Sequence, residues 1–179
     1  MRRLRLRWAR LRERLRNWRQ DAPFRRWTLR LITRLQAAPP VALFGIPLDR
    51  QEIGNLGEDL AARWLRTRRR RVLYRNYRGQ HRGEVDLVCR HDHRLVFVEV
   101  KTRTSTAFGR PADAVNREKQ RLILRGAQDW LRRLGHPPIP IRFDIVEVLL
   151  ICGHPATFNV IEDAFQLPDS SLEGRTRWI

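Results

Sequence analysis

The chain has 179 residues, which is enough for one compact domain with an extension but too few for two domains of ordinary size. Hydrophobic residues make up 42% of the chain, enough to build a core, and this argues against a wholly disordered protein. The net charge of +18 favours polyanionic partners, with nucleic acid first and an anionic membrane surface second. No apolar run is long enough to span a bilayer. The two cysteines, Cys89 and Cys152, are far apart in the sequence, so we expect buried, reduced thiols in a cytoplasmic protein.

Residues 1–36 hold much of the positive charge, with thirteen Arg against the two acids Glu13 and Asp21. Leucine and tryptophan recur there at helical spacing, and the pattern predicts a basic amphipathic helical extension. Such helices bind nucleic acid, a partner protein or an anionic membrane surface, and membrane contact is the least favoured of the three. Prolines predict a linker over residues 37–50, which leaves a domain at 51–167 and a frayed C-terminal tail at 168–179.

The periodicity of the domain changes from helical to extended and back along the chain. Helices are predicted at residues 54–70 and 113–134. Strands are predicted at residues 72–78, 84–90, 95–101, 139–151 and 157–161, the last of them a short edge strand. The order α-β-β-β-α-β-β predicts an α/β fold, a mixed sheet with helices packed on it.

The third predicted strand places an acid and a lysine on one face. Because side chains alternate along a strand, Glu99 and Lys101 project away from the valines of the same run, which form a core face. The basic residues are 35 Arg and only two Lys, at positions 101 and 119. A chain that keeps an ammonium where it otherwise uses guanidinium groups points to a site that needs a compact charge.

The preceding strand adds a second acid, Asp86. A turn that closes His91 against Arg94 would set Asp86 directly across from Glu99. Two adjacent carboxylates repel each other, and a bound divalent cation removes the conflict because Mg²⁺ takes hard oxygen ligands. The cluster therefore predicts a metal site, with Lys101 directed at the anion that the metal holds.

Several sequence blocks resemble the YraN-like family of uncharacterised proteins, which belongs to the restriction-endonuclease-like superfamily and is related to archaeal Holliday-junction resolvases. The blocks are Gly57-Glu58, Asn76, Gly83-Glu84-Val85-Asp86-Leu87, Phe97-Val98-Glu99-Val100-Lys101-Thr102-Arg103, Lys119 and Arg142-Phe143-Asp144. The resemblance covers roughly residues 50–165 and implies a PD-(D/E)xK signature. In that signature Asp86 and Glu99 bind the metal, the Val100 carbonyl is a further ligand and Lys101 is the catalytic lysine. Glu58 resembles the additional acid of the superfamily.

These features together predict an endonuclease that depends on Mg²⁺ or Mn²⁺ and hydrolyses phosphodiester bonds in DNA, with branched or damaged DNA as candidate substrates. Arg103, Lys119 and Arg121 are the candidate phosphate-binding residues, and a homodimer would suit the cutting of two strands. The alternative is a nucleic-acid-binding accessory protein in DNA repair or uptake that has lost turnover.

Some of these residues also have plainer explanations. Glu58 can be an acid stabilised by a helix N-terminus, and Lys119 and Arg121 can be solvated helix charges. Glu84 is predicted to form a salt bridge with Lys101, and Asp144 is predicted to be structural.

Overall fold

The computed structural model describes residues 42–43, 46–105 and 115–166; the predicted basic extension and C-terminal tail lie outside these residues. The elements in chain order are β1 (Ala42–Leu43), β2 (Ile46–Pro47), α1 (Arg50–Thr67), β3 (Arg70–Arg78), β4 (Glu84–His91), β5 (Arg94–Arg103), α2 (Arg117–Arg133), β6 (Ile141–Leu149) and β7 (Thr157–Ile161). A 3-10 turn joins β3 to β4. The predicted linker contains the short antiparallel pair of β1 and β2.

Strands β3 to β7 form one five-stranded mixed sheet in sequential order. Neighbouring strands are antiparallel except for β5 and β6, which run parallel and are joined through α2. The predicted α/β fold, its element order and the edge position of β7 are therefore confirmed. No helix among the described residues combines the length and apolarity required to cross a bilayer.

The central strand β5 is buried on both faces. Its valines at 96, 98 and 100 join a core with α1, here called the α1-side core. Leu95 and Phe97 join a second core with α2, here called the α2-side core. The predicted valine core is confirmed, and the opposite face is also covered, because the helices pack on both sides of the sheet. Glu99 continues the α2 face beyond Phe97.

Both helices begin at side-chain caps that shift their predicted boundaries. Helix α1 starts four residues before the predicted position, because Asp49 and Glu52 form a reciprocal capping box with N–H to carboxylate distances of 2.9 and 3.0 Å. Helix α2 starts at Arg117, later than predicted, because the Asn116 side chain accepts a hydrogen bond from the Lys119 N–H at 2.9 Å.

Strand β4 changes faces at Asp86. Val85 packs in the α2-side core, whereas Leu87 packs in the α1-side core. The alternation of a regular strand predicts that these two residues share a face, and this prediction is wrong here. Asp86 therefore lies at an irregular point of the strand, and its side chain belongs to neither of the two hydrophobic cores.

Strand β3 changes faces at the matching level. Arg75 forms an ion pair with Asp59 of α1, whereas Tyr77 packs in the α2-side core. Between them Asn76 has a φ of 53°, a left-handed conformation that asparagine tolerates better than most residues. The register places Asn76 opposite Asp86, because the flanking residues of the two strands pair with each other.

A buried ion network surrounds Asp144 of β6. Asp144 is fully buried and accepts hydrogen bonds from Arg70 at 2.7 Å and Arg142 at 2.9 Å. Asp144 is thus a buried structural group, as predicted. Cys89 is buried as predicted, but the predicted burial of Cys152 is wrong, because β6 ends at Leu149 and leaves this thiol exposed in the following turn.

Helix α2 contacts the start of β4 through two glycines. A Cβ atom on Gly83 would lie 2.5 Å from the backbone nitrogen of Gly126, and one on Gly126 would lie 2.9 Å from the backbone nitrogen of Glu84. The absence of both side chains lets the helix backbone rest on the strand backbone. Lys119 lies seven residues before Gly126, two helical turns along the same side, and is thereby directed at the end of β4.

We expect Gly126→Ala to destabilise the protein relative to Gly54→Ala, a matched substitution in α1 whose Cβ would meet nothing within 4 Å. Both substitutions gain helix propensity of about 1 kcal/mol, so their difference in free energy of unfolding measures the clash, expected at about 1–3 kcal/mol. Denaturant unfolding of the two variants and the wild type gives this difference. Equal stabilisation by both substitutions would mean that α2 does not rest on β4.

Candidate active site

Asp86 lies where the pairing of β4 and β5 stops. The register pairs run from His91 with Arg94 to Leu87 with Val98, which confirms the predicted register over this stretch. Two residues beyond Val98, the Val100 N–H donates to Oδ2 of Asp86 at 2.8 Å. A side chain thus takes the place of a backbone acceptor. Because the N–H and carbonyl of one strand residue project to the same side, the Val100 carbonyl also faces β4.

Glu99 is a buried carboxylate between two ammonium groups. It is only 2% exposed, with Lys101 Nζ 3.0 Å from Oε1 and Lys119 Nζ 3.2 Å from Oε2. Oε2 is fully buried and has no partner of hydrogen-bond geometry among the described residues. A buried charge requires compensation, which the two lysines supply here.

Lys119 extends the cluster to the rim of the sheet. It forms an ion pair with Glu84, which also forms one with Arg78 at the end of β3. The predicted salt bridge between Glu84 and Lys101 is wrong, because α2 brings Lys119 over Glu84 and Lys101 pairs with Glu99. The direct contact of Lys119 with Glu99 was not predicted. Its sequence signal was the scarcity of lysine in this chain.

The partly buried carboxyl of Asp86 has a pKa raised from 3.8 to about 7. Burial is the largest cause, followed by the negative charge of Glu99, and the charge of Glu58 adds to the rise. The hydrogen bond from Val100 and the charge of Lys119 oppose it. The predicted acids therefore interact electrostatically in the fold.

Glu58 lies in the middle of α1. Since the helix begins at Arg50, Glu58 is in the third turn, where the helix dipole no longer stabilises an acid appreciably. The plainer explanation for this residue is therefore weakened. Its neighbour Gly57 packs so closely on Thr102 of β5 that a Cβ atom there would overlap the threonine side chain. This contact holds α1 against β5 one residue beyond Lys101.

The three predicted phosphate-binding residues have different surroundings. Lys119 is part of a group of interacting charges, here called the acid–lysine cluster, which consists of Glu84, Asp86, Glu99, Lys101 and Lys119. Arg103 follows Lys101 on the same face of β5 and lies 3.7 Å from Glu147 of β6. Arg121 is exposed and lies about 200° around α2 from Lys119, so the structure does not bring these two together.

The donor set fits a hard divalent cation. Among the described residues no three His, Cys, Asp or Glu side chains are gathered in the geometry of a metal site. Two features nevertheless suit Mg²⁺ or Mn²⁺. Oε2 of Glu99 contacts Lys119 but has no partner of hydrogen-bond geometry among the described residues, and Asp86 and Glu99 are close enough for the charge of Glu99 to raise the pKa of Asp86. The Val100 carbonyl, on the side of β4, is a further oxygen of the kind these ions take.

The fold and the site together define a restriction-endonuclease-like α/β domain with an acid–lysine cluster at one end of the β4–β5 pair. The chain belongs to the uncharacterised protein family UPF0102, whose sequence pattern matches residues 57–148. The resemblance to the YraN-like family is thereby confirmed. The matched range contains Glu58, Asp86, Glu99, Lys101 and Lys119.

Similar chains occur in several organisms. A UPF0102 protein of Anaeromyxobacter dehalogenans is 50% identical over 108 residues, which cover 59% of this chain and 78% of the relative. One from Nocardia farcinica is 42% identical over 117 residues, covering 65% and 91% of the two chains. One from Alkaliphilus oremlandii is 43% identical over 117 residues, covering 64% and 98%.

We expect the raised pKa of Asp86 to make the free energy of unfolding depend on pH when a chelator keeps the protein free of metal. The folded protein keeps a proton on this carboxyl that the unfolded chain releases, so the stabilisation is complete below pH 3.8 and is lost as the pH rises to about 7. Asp86→Asn should remove this dependence. Denaturant unfolding between pH 4 and 8 measures it.

Glu118→Gln, which removes an exposed acid of α2, is the matched control for the loss of one carboxylate. Identical pH profiles for the wild type and Asp86→Asn would contradict the assigned environment of Asp86.

Proposed function

We propose that this protein is a divalent-metal-dependent endonuclease that hydrolyses phosphodiester bonds in DNA. The observation that carries the proposal is the buried Glu99 carboxylate, which interacts with Asp86 and lies within 3.2 Å of both lysines of the chain. Acids and ammonium groups at one point of a sheet suit a phosphodiester, because the acids can hold a cation and the ammonium groups can hold an anion.

Asp86, Glu99 and the carbonyl of Val100 would hold Mg²⁺ or Mn²⁺, with Glu58 as an additional acid. When bound, the metal supplies Lewis-acid polarisation of the phosphate and lowers the pKa of a water molecule. The hydrogen bond from the Val100 N–H to Oδ2 would orient the carboxylate of Asp86 for this role.

Lys101 and Lys119 would act on the phosphate. Both ammonium groups contact Glu99, so both would lie close to a phosphate held beside this acid. Lys101 would orient the attacking water or stabilise the negative charge that develops on the phosphate. Lys119 would hold a phosphate oxygen, and Arg103, next on the same face of β5, would bind a neighbouring phosphate.

Substrate selection by shape is the proposal most consistent with the surface. The net charge of +18 provides strong sequence-independent attraction to a phosphate backbone. No helix or ribbon of the described part of the chain is recognisable as a base-reading element, so we propose branched or damaged DNA as the substrate class. Cutting of both strands of such a substrate would be served by a homodimer.

The proposal is tested by incubating branched, nicked and single-stranded DNA with the full chain, with and without Mn²⁺. We expect cleavage only with metal, and a loss of at least about 100-fold in rate for Asp86→Ala and for Lys101→Ala. Arg94→Ala removes one positive charge from the exposed far end of β5 and is the matched control, which should retain the rate. Equal cleavage by the wild type and all three variants would show that the activity comes from a contaminant and would contradict the proposal.

One observation favours a second candidate, a nucleic-acid-binding accessory protein without turnover. Lys101 and Lys119 already neutralise Glu99, as in a closed ion-pair network. In that case the cluster serves stability and the basic surface serves binding.

Thermal unfolding with and without Mn²⁺ separates the two candidates without an activity assay. An endonuclease site predicts that Mn²⁺ raises the unfolding midpoint of the wild type and not that of Glu99→Gln. The accessory candidate predicts that Glu99→Gln lowers the midpoint, because two lysines lose their partner, while Mn²⁺ affects neither protein.

A further inference from the structure

An aromatic surface lies on the edge strand β3, on the same side of the sheet as the candidate active site. It consists of Tyr74, Tyr77 and Trp130. The Tyr74 ring is 5.2 Å from that of Trp130 and 5.8 Å from that of Tyr77, and the latter two rings are 5.0 Å apart. Tyr77 is buried, Trp130 is partly buried and Tyr74 is 48% exposed. Two packed rings therefore support one that faces solvent.

Two arginines lie on the same side of the sheet as this aromatic surface. The guanidinium of Arg133 lies 5.7 Å from the centre of the Tyr77 ring, and its Nε lies 3.2 Å from Asp129 of the same helix. Arg71 is exposed on β3 and projects to the α2 side, because Arg70 and Val72 on either side of it pack on the α1 side. The combination of an exposed ring and guanidinium groups is complementary to a nucleotide, which presents a flat base and an anionic phosphate.

The edge of β3 is poorly suited to pairing with another strand. The register shifts between Val72 and Tyr74, and the left-handed Asn76 follows two residues later. Bulges and charged residues are devices that keep a sheet edge from pairing. A second copy of β3 would also bring its arginines against those of the first. Exposure of Tyr74 is therefore not explained by an edge-to-edge contact, and the charge favours a polyanion.

We infer that the aromatic surface stacks an unpaired base of the nucleic acid, with Arg71 and Arg133 pairing with the adjoining phosphates. The inference deepens the proposed function, on which it rests for the identity of the ligand as nucleic acid. It assigns a substrate class: a nucleic acid with a single-stranded stretch close to the bond that is cut.

The position of the surface along β3 sets the spacing. Tyr74 lies two residues before Asn76, which the register places opposite Asp86 of the candidate metal site. Two strand residues span about 7 Å, and the neighbouring strand lies about 5 Å away. Stacked nucleotides rise about 3.4 Å each, so roughly two to three nucleotides would separate the stacked base from the cleavage site. One strand could therefore contact both places.

Binding in EDTA tests the inference apart from cleavage. A fluorescein-labelled single-stranded 20-mer of thymidine and a duplex of the same length are titrated with the full chain, and anisotropy is recorded. Tyr74→Ala should weaken binding to the single strand by at least about fivefold and leave the duplex almost unchanged. Tyr74→Phe should bind like the wild type. Leu73→Ala, at the neighbouring residue with 43% exposure, is the matched control and should also be unaffected.

The salt dependence adds a second readout that a merely structural role would not produce. The thirteen arginines of residues 1–36 add binding to both ligands, so the ratio of the two affinities is the quantity compared. Arg71→Ala should reduce the slope of log affinity against log salt concentration by about 0.7 on the single strand, whereas Tyr74→Ala should leave the slope unchanged. Ultraviolet crosslinking of a 5-iodouracil oligonucleotide should label Tyr74 or Trp130.

Equal losses on single strand and duplex, an equal loss in Leu73→Ala, or crosslinks confined to other peptides would overturn the inference. So would a wild-type dimer that Tyr74→Ala dissociates with binding unchanged, since the surface would then belong to a second copy. Binding that depends on Tyr74 in a protein that never cleaves would leave this inference standing and refute the proposed endonuclease.

Discussion

The hydrogen bond from the Val100 N–H to Asp86 is the interaction on which the candidate site depends. It forms where β4 and β5 stop pairing, so a carboxylate completes a sheet in place of a carbonyl. The same strand segment continues to pair with β6 in parallel, which holds Glu99 and Lys101 rigidly in place. A partly buried acid beside a buried acid is costly, and the raised pKa of Asp86 is the expression of that cost. Lys101 and Lys119 compensate the charge of Glu99, and acids with perturbed pKa values are concentrated at functional sites, which supports the proposed role of the cluster.

The two helices cover the faces of the sheet and bring further charged residues to the candidate site. Helix α1 covers the valine face of β5 and brings the charge of Glu58 near Asp86, while α2 covers the other face and brings Lys119 to Glu99. The close contact of α2 with β4 depends on glycine at two positions, since a methyl group on either would meet backbone atoms. The site is therefore an outcome of helix placement as much as of the sheet. The edge strand β3 then extends the same side of the molecule towards the aromatic surface.

Much of the fold could be predicted from the sequence. The element order follows from hydrophobic periodicity, and the β4–β5 register follows from a two-residue turn, because a strand that slipped by one residue would turn its apolar face to solvent. Asp86, Glu99 and Lys101 could be grouped for the same reason, since neighbours in a hairpin are local in sequence. Boundaries were less predictable: the capping box at Asp49 moves the start of α1, and β5 extends two residues past its predicted end at Lys101.

Sequence by itself determined the local parts of this protein: the α/β order, the hairpin and the acids and lysine that it carries. Only the tertiary structure decided which distant side chains join them. Lys119 contacts Glu99, and Glu84 pairs with Lys119 instead of Lys101, because α2 packs at a height set by two glycines. The change of faces at Asp86 could not be predicted either, because it coincides with a left-handed residue, Asn76, on the neighbouring strand. Spacing along one chain indicates which side chains share a face only where the strand is regular, whereas contacts between elements depend on packing, which no local pattern encodes.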